Sequence, residues 1–189
     1  MTRILAFSGS TRDGSLNRMT VDCLAAIATS KGASVSRADL GELAMPIYDG
    51  DLEARDGLPA GAAKLRDMLL EAEGVIIGCP EYNGFMTPLL LNAIDWCSRT
   101  DGARPDLSPF RDKVVLIASA SPGGFGGMRA AGHLRTMLAG IGCLVIPQGV
   151  SVPAAMSAFA DDGGFADENL TKRAGGAIDK LIDMTARMR

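Results

Sequence analysis

Three short segments of this 189-residue chain hold most of the residues whose types and spacing suit chemistry. The first is Gly9-Ser10-Thr11-Arg12-Asp13-Gly14-Ser15-Leu16-Asn17-Arg18. It joins an apolar run to a stretch of helical period, so it opens a helix whose first N–H groups lack partners and whose dipole is positive at that end. Anions settle at such ends. The hydroxyls of Ser10, Thr11 and Ser15, the amide of Asn17 and the guanidinium of Arg12 add donors. Arginine meets phosphate oxygens with charge-assisted, bidentate bonds, and this density of donors suits a terminal phosphate dianion. Gly9 and Gly14 have the spacing of a Walker loop, but Ser15-Leu16 stands where Lys-Ser/Thr is required, and no GxGxxG is present for a dinucleotide turn. The plain alternative is a capped helix entry with polar residues and no ligand.

The second segment, Cys79-Pro80-Glu81-Tyr82-Asn83-Gly84, follows the apolar run Val75-Ile76-Ile77. Asn83-Gly84 favours a tight turn, and Pro80 cannot extend a strand ladder. A flat heteroaromatic ring fits against such a turn, bonded by backbone N–H groups and flanked by Tyr82. The third, Ser121-Pro122-Gly123-Gly124-Phe125-Gly126-Gly127, carries four glycines in five positions. Glycine loses the most conformational freedom on folding, so such a run points to positive φ angles or to backbone in close approach to a ligand. The alternatives are a bare turn and a merely flexible loop.

The elements that position these loops are legible as alternating apolar runs and helix-period stretches. Ile4–Phe7 is a first strand, and Leu16, Met19, Cys23, Leu24 and Ile27 place one apolar face on the helix after it, which Gly32 stops. Ser34–Leu40 is a second strand, then a loop with Pro46, Gly50, Gly57 and Pro59 leads to a helix near Ala62–Ala72. Val75–Cys79 is a strand covered on both faces. Thr87-Pro88 caps and opens a helix to about Ser98. Val114–Ala118, a helix over Met128–Ala139, a strand at Leu144–Ile146 and a last helix over Glu168–Met188 complete the pattern. Leu170, Ala174, Ile178, Leu181 and Ile182 share one side of that last helix. Five strands alternating with five helices predict a doubly wound, three-layer α/β/α domain over residues 1–189 with flavodoxin-like strand order 2-1-3-4-5. The segment 151–167, with Gly163-Gly164, is the expected mobile part. In that order the ends of strands one, three and four are neighbours, so the three loops converge on one crevice made for a mononucleotide-like ligand.

Composition excludes other classes. Nineteen basic against twenty-two acidic side chains leave a net charge of -3, with no basic footprint for nucleic acid or an anionic membrane. No apolar stretch is long enough to span a bilayer, and the start lacks a secretory pattern, so a cytoplasmic protein is expected. Cys23, Cys79, Cys97 and Cys143 are scattered without a CxxC pair, and His133 is the one histidine, so no metal site is expected and the thiols read as core.

At these same residues the sequence resembles the NADPH-dependent FMN reductase family, which includes quinone, azo-dye and chromate reductases. The matching motifs are Gly9-Ser10-Thr11-Arg12…Ser15…Asn17-Arg18, Pro80-Glu81-Tyr82-Asn83-Gly84…Leu91-Asn92-Ala93-Ile94-Asp95-Trp96 and Ser121-Pro122-Gly123-Gly124…Gly127…Arg129, over roughly residues 3–150. Leu91 departs from the family's frequent lysine. The resemblance implies non-covalent FMN, its phosphate on Ser10, Arg12, Ser15 and Asn17. Its ring and ribityl chain would lie against Pro80, Glu81, Tyr82 and Asn83, and against Ser121, Gly123 and Gly124. It also implies a homodimer or homotetramer, with the helix bearing Asp95 and Trp96 at the subunit contact; on physical grounds Trp96 reads equally well as core.

The implied chemistry belongs to the flavin, which takes hydride from NADPH, or NADH, and passes electrons to a small-molecule acceptor: a quinone, azo compound, metal ion or free flavin. The protein has to position the rings and stabilise negative charge at the pyrimidine end. Backbone donors from the second and third loops suffice for that, so no catalytic side chain is assigned, and His133 reads as a helix-surface or packing residue. The sequence locates no clear site for a nucleotide 2′-phosphate, which depends on how arginines such as Arg18, Arg99 and Arg104 are placed, so NADPH and NADH both stay open. The rival readings are a flavodoxin-like FMN electron carrier reduced by a partner protein and a flavin-free interaction domain.

Overall fold

A computed structural model describes residues 1–100 and 102–188. Strand β1 (Arg3–Ser8) leads into helix α1 (Leu16–Ser30), β2 (Ser34–Asp39), α2 (Gly50–Asp56), α3 (Ala60–Glu71) and β3 (Gly74–Gly78). A two-residue-strand hairpin, β4 (Glu81–Tyr82) and β5 (Phe85–Met86), precedes α4 (Pro88–Cys97) and a small ribbon, β6 (Arg99–Thr100) and β7 (Arg104–Pro105). Then follow β8 (Val114–Ala120), α5 (Met128–Gly140), β9 (Leu144–Val145), β10 (Val150–Val152) and α6 (Glu168–Arg187).

The main sheet is parallel and ordered β10-β8-β3-β1-β2, with β9 also pairing β8. This is the flavodoxin-like order expected from the sequence, with its fifth strand in two pieces. Pro147 has no N–H to give to a ladder, so the chain leaves β8 after Ile146 donates to the Val115 carbonyl (3.0 Å) and rejoins it at Val150↔Ala118.

Alternation along β1 sends Ile4 and Ala6 to one side and Leu5 and Phe7 to the other. The first side packs with Leu24, Leu116, Ile178 and Leu181 under α1 and α6. The second packs with Leu65, Ile77, Leu90, Ile117 and Leu134 under α3, α4 and α5. Both faces are covered, which is why β1, β3 and β8 read as unbroken apolar runs.

Three expectations need correction. Met19 is 37% exposed, because the α1 face that meets the sheet runs through Leu16, Thr20, Cys23 and Leu24 instead. Residues 50–56 form a helix where a loop was expected, started by Asp49, whose carboxylate accepts from the Asp51 and Leu52 N–H groups. The 151–167 segment is anchored rather than loose: it contributes β10 and buries Val152, Ala155 and Phe165 in the α1–α6 core. Of the two readings of Trp96 the core one holds: it is fully buried, and its Nε1 donates to the Pro46 carbonyl (2.7 Å). The four cysteines are free and buried, as expected. Burial pushes the Cys23 thiol up to about 11 and those of Cys79, Cys97 and Cys143 to about 12.

Candidate functional site

Register places the three loops side by side, since Ser8 pairs Gly78 across β1 and β3, and Gly78 pairs Ala118 across β3 and β8. Between them lies a cavity of about 200 Å³ lined by Ser10, Arg12, Ser15, Leu16, Asn17, Pro80, Glu81, Tyr82, Ala120, Ser121 and Pro122.

Its floor is the amino end of α1. Ser15 is the N-cap: its Oγ accepts from the Arg18 N–H (3.3 Å), which leaves its own hydrogen to donate. The first-turn N–H groups of Leu16 and Asn17 precede any intrahelical acceptor and face the same end. Ser10 Oγ accepts from the Arg12 N–H (3.3 Å). Among the described residues the exposed Arg12 guanidinium has no partner, so a cation stands ready beside a helix dipole of the same sign. Thr11 turns away and packs beside Gly41, so it is not part of the lining.

Asn17 has a duty in addition to lining the cavity. It is 6% exposed; its Nδ2 donates to the Ala120 carbonyl and its Oδ1 accepts from the Ala120 N–H, each at 2.9 Å. One amide therefore fastens the end of β8 to the start of α1. A single Nδ2 hydrogen is left for a ligand.

The second wall is the β4–β5 hairpin. Asn83 and Gly84 take φ of 54° and 83°, as a two-residue turn of type I′ requires, and Tyr82 projects 56% exposed over the cavity. Asn83 and Gly84 themselves sit at the tip, outside the lining. Glu81 binds Arg129 Nε (2.7 Å) and accepts from the Ala130 N–H (3.3 Å), so the hairpin is tied to the first turn of α5. Burial tends to raise its carboxyl; the Arg129 guanidinium and the Ala130 N–H outweigh this and hold it below the usual range.

In the third loop the glycines divide by role. A Cβ on Gly126 would meet the Pro153 nitrogen at 2.8 Å, and one on Gly127 would meet Ser119 Cβ at 3.0 Å; both have positive φ. The backbone approaching them closely is the protein's own. Gly124 has nothing within 4 Å and Gly123 only Ser121 Oγ at 3.5 Å, so these two leave open space beside the cavity. Ser121 Oγ accepts from the Gly123 N–H (3.1 Å), and Gly123 accepts from the Ala154 N–H (3.2 Å), which braces the loop on the 151–167 segment.

Several motif residues outside the cavity shape its surroundings. Asn92 Nδ2 and Trp96 Nε1 both donate to the Pro46 carbonyl, while Asn92 Oδ1 accepts from the Tyr48 N–H (2.7 Å). They hold the loop after β2 against α4. No spacing in the sequence announces this, because the partners are 44 to 50 residues apart. Arg99 pairs with buried Glu53 (2.8 Å) and Arg18 with Asp39 (3.0 Å), while Arg104 is exposed on β7. His133 is exposed with its ring 4.8 Å from that of Phe85, a helix-surface position as expected.

The NADPH-dependent FMN reductase profile matches residues 2–157. This chain belongs to that family. Consistent with the assignment, it is 37% identical over 147 residues to a quinone reductase of Escherichia coli K12, covering 76% of this chain and 73% of that one. It is 34% identical over 168 residues to an NAD(P)H-dependent FMN reductase of Pseudomonas aeruginosa, covering 88% and 85%. Among solved structures it is similar to the flavoenzyme NAD(P)H:(acceptor) oxidoreductase of Paracoccus denitrificans, with a TM-score of 0.80, 26% identity and 99% and 98% of the two chains covered. The residues present fit the family's cofactor, FMN: an unpartnered guanidinium, a free-donating serine and a helix amino terminus for its phosphate, with open backbone at Gly123 and Gly124 and exposed Tyr82 for its ring.

Proposed function

We propose that residues 1–189 form one FMN-binding domain that oxidises NADPH or NADH and reduces a small-molecule acceptor, quinones first. The observation that carries this reading is the convergence of the three loops around an unpartnered Arg12 at the amino end of α1. Bound FMN supplies the redox chemistry, taking hydride from the nicotinamide and returning electrons to the acceptor.

The chain's own residues bind and orient. Ser10, Arg12 and Ser15 hold the phosphate, with the first-turn N–H groups of α1. Pro80, Glu81 and Tyr82 form one side of the ring site, with Asn83 shaping the turn behind them, and Ser121, Gly123 and Gly124 the other. The ion pair of Glu81 with Arg129 fixes the hairpin against α5, so its backbone keeps its aim without reorganising. No side chain has to move a proton. Azo compounds, metal ions and free flavin are further acceptors, open to the same flavin face. Exposed Tyr82 on the cavity wall, Phe85 on β5, and Phe125 and Met128 at the start of α5 are apolar side chains that support a homodimer or homotetramer. Among the described residues no helix is long and apolar enough to cross a membrane, in keeping with a cytoplasmic reductase.

Anaerobic mixing of the FMN-loaded protein with NADPH, and separately NADH, tests the proposal. Bleaching of the flavin band, followed by recovery on adding a quinone, is the expected result. A flavin that stays oxidised until a second protein is added would make the chain an electron carrier instead, and a protein that ignores added FMN would be neither.

A further inference from the structure

Beside the loop that would hold the phosphate lies a second cavity of about 240 Å³, between α1 and the carboxyl ends of β1 and β2. Ser10 lines both cavities, so the two adjoin at the phosphate-binding loop. At the base of the second one Ser8 is 7% exposed, and its Oγ is the one buried side-chain oxygen among the described residues without a hydrogen-bond partner. An orphaned buried hydroxyl is costly unless something enters to meet it. Register puts Asp39, the last residue of β2, directly beside Ser8 on the same face. Asp39 pairs with Arg18, whose Nη2 also donates to the Ser10 carbonyl (3.4 Å), and Arg37 pairs with Asp22 further out.

Two cations and two anions cancel, so this cavity does not select another phosphate or a metal ion. Asp39 Oδ1 also accepts from the Gly41 N–H (2.8 Å), and its carboxylate keeps further lone pairs for a hydroxyl, beside Ser8 and the Arg18 and Arg37 side chains that line the cavity. In dinucleotide-binding α/β sheets a carboxylate beyond the phosphate-binding helix terminus grips a ribose diol, and Asp39 at the end of β2 occupies the corresponding place here without the glycine-rich dinucleotide turn.

We propose that this second cavity binds the adenosine of an adenosine 5′-phosphate group, with Asp39 and Ser8 on its sugar. The inference rests on the phosphate assignment made above. Two sources share that chemistry: FAD, whose flavin phosphate continues into AMP, and the ADP half of the nicotinamide nucleotide.

The test uses Ser8→Ala and Asp39→Asn beside the wild type. FMN and FAD affinities are measured by flavin fluorescence on the apoprotein, and ADP affinity by calorimetry on the FMN-loaded protein. Both substitutions should leave FMN affinity within about twofold and weaken the adenosine-bearing ligand by roughly five- to tenfold. If FAD affinity falls while ADP fails to bind, the adenosine is the flavin's. If ADP binding falls and KM for the nicotinamide rises, it belongs to the reductant. Removing an orphan hydroxyl should not lower the Tm, so loss of affinity in Ser8→Ala at unchanged or higher Tm separates a ligand role from a structural one. Unaltered FAD, ADP and nicotinamide parameters in both variants, with FMN still bound, would overturn this site and leave the FMN assignment standing. Failure of the wild type to bind FMN would instead remove the reading beneath it.

Discussion

Replacing Asn17 by alanine removes the two hydrogen bonds that join α1 to Ala120. Both partners are backbone groups of a buried residue, 3% exposed, so the substitution orphans one donor and one acceptor. Each orphan costs about 1–3 kcal/mol, and water reaching Ala120 through the adjoining cavity keeps the total near the lower end, roughly 2–4 kcal/mol. For a domain of this size that lowers Tm by roughly 5–15 °C. The assay is denaturant unfolding of the apoprotein, paired with FMN titration. Loosening of two of the cavity's walls should weaken FMN about tenfold at the same time. Asn17→Asp keeps the bond from the Ala120 N–H but sets a carboxylate against the carbonyl and beside the phosphate position, so it should lose more FMN affinity than alanine does. Apoprotein stability within about 0.5 kcal/mol of wild type, with FMN affinity lost, would refute the clasp and return Asn17 to the direct phosphate contact read from its motif.

Arg12→Ala should weaken FMN by about 1.5–3 kcal/mol, tenfold to a hundredfold, while apoprotein stability is unchanged, because the exposed guanidinium makes no hydrogen bond or ion pair with another described residue; retention of FMN on dialysis would remove Arg12 from the site. Gly126→Ala should destabilise the apoprotein by about 1–3 kcal/mol through its contact with Pro153 and Val152, whereas Gly124→Ala should fold as wild type and lose flavin affinity; chemical unfolding of both distinguishes them. Glu81 has a depressed folded pKa, so its contribution is complete above the unfolded glutamate range and disappears as pH falls through the lowered value; a stability-versus-pH curve should lose that acid-side slope in Glu81→Gln. With buried thiols raised to about 11 or 12, a maleimide reagent at neutral pH should leave the native chain unlabelled and modify Cys23, Cys79, Cys97 and Cys143 only on unfolding, as intact mass would show.

The order of the sheet and the meeting of three loops at its carboxyl edge were legible because β1, β3 and β8 are buried on both faces and carry long apolar runs. Short elements were not. Residues 50–56 have the polar composition of a loop, and only the Asp49 cap reveals a helix start. Val150–Val152 is flanked by Pro147 and Pro153, which obscure a three-residue strand. Within the site, the sequence displays donors but not what already accepts from them: Asn17 answers to Ala120, 103 residues away, and Glu81 to Arg129, 48 away. Glycine type likewise states that something comes close, not whether it is ligand or protein, and at Gly126 it is Val152 and Pro153.

The detour at Pro147 bears on how the molecule behaves in a crowd. An outermost strand with a continuous row of free amides invites another chain to extend the sheet. Here that border is two stubs with a proline between them, and the opposite border is β2, which carries polar Ser34, Ser36, Arg37 and Asp39. Closing the gap, by replacing Pro147 with a β-branched residue, would restore a longer template for neighbours. The expected outcome is slow fibrillar association on partial unfolding that the native sequence resists.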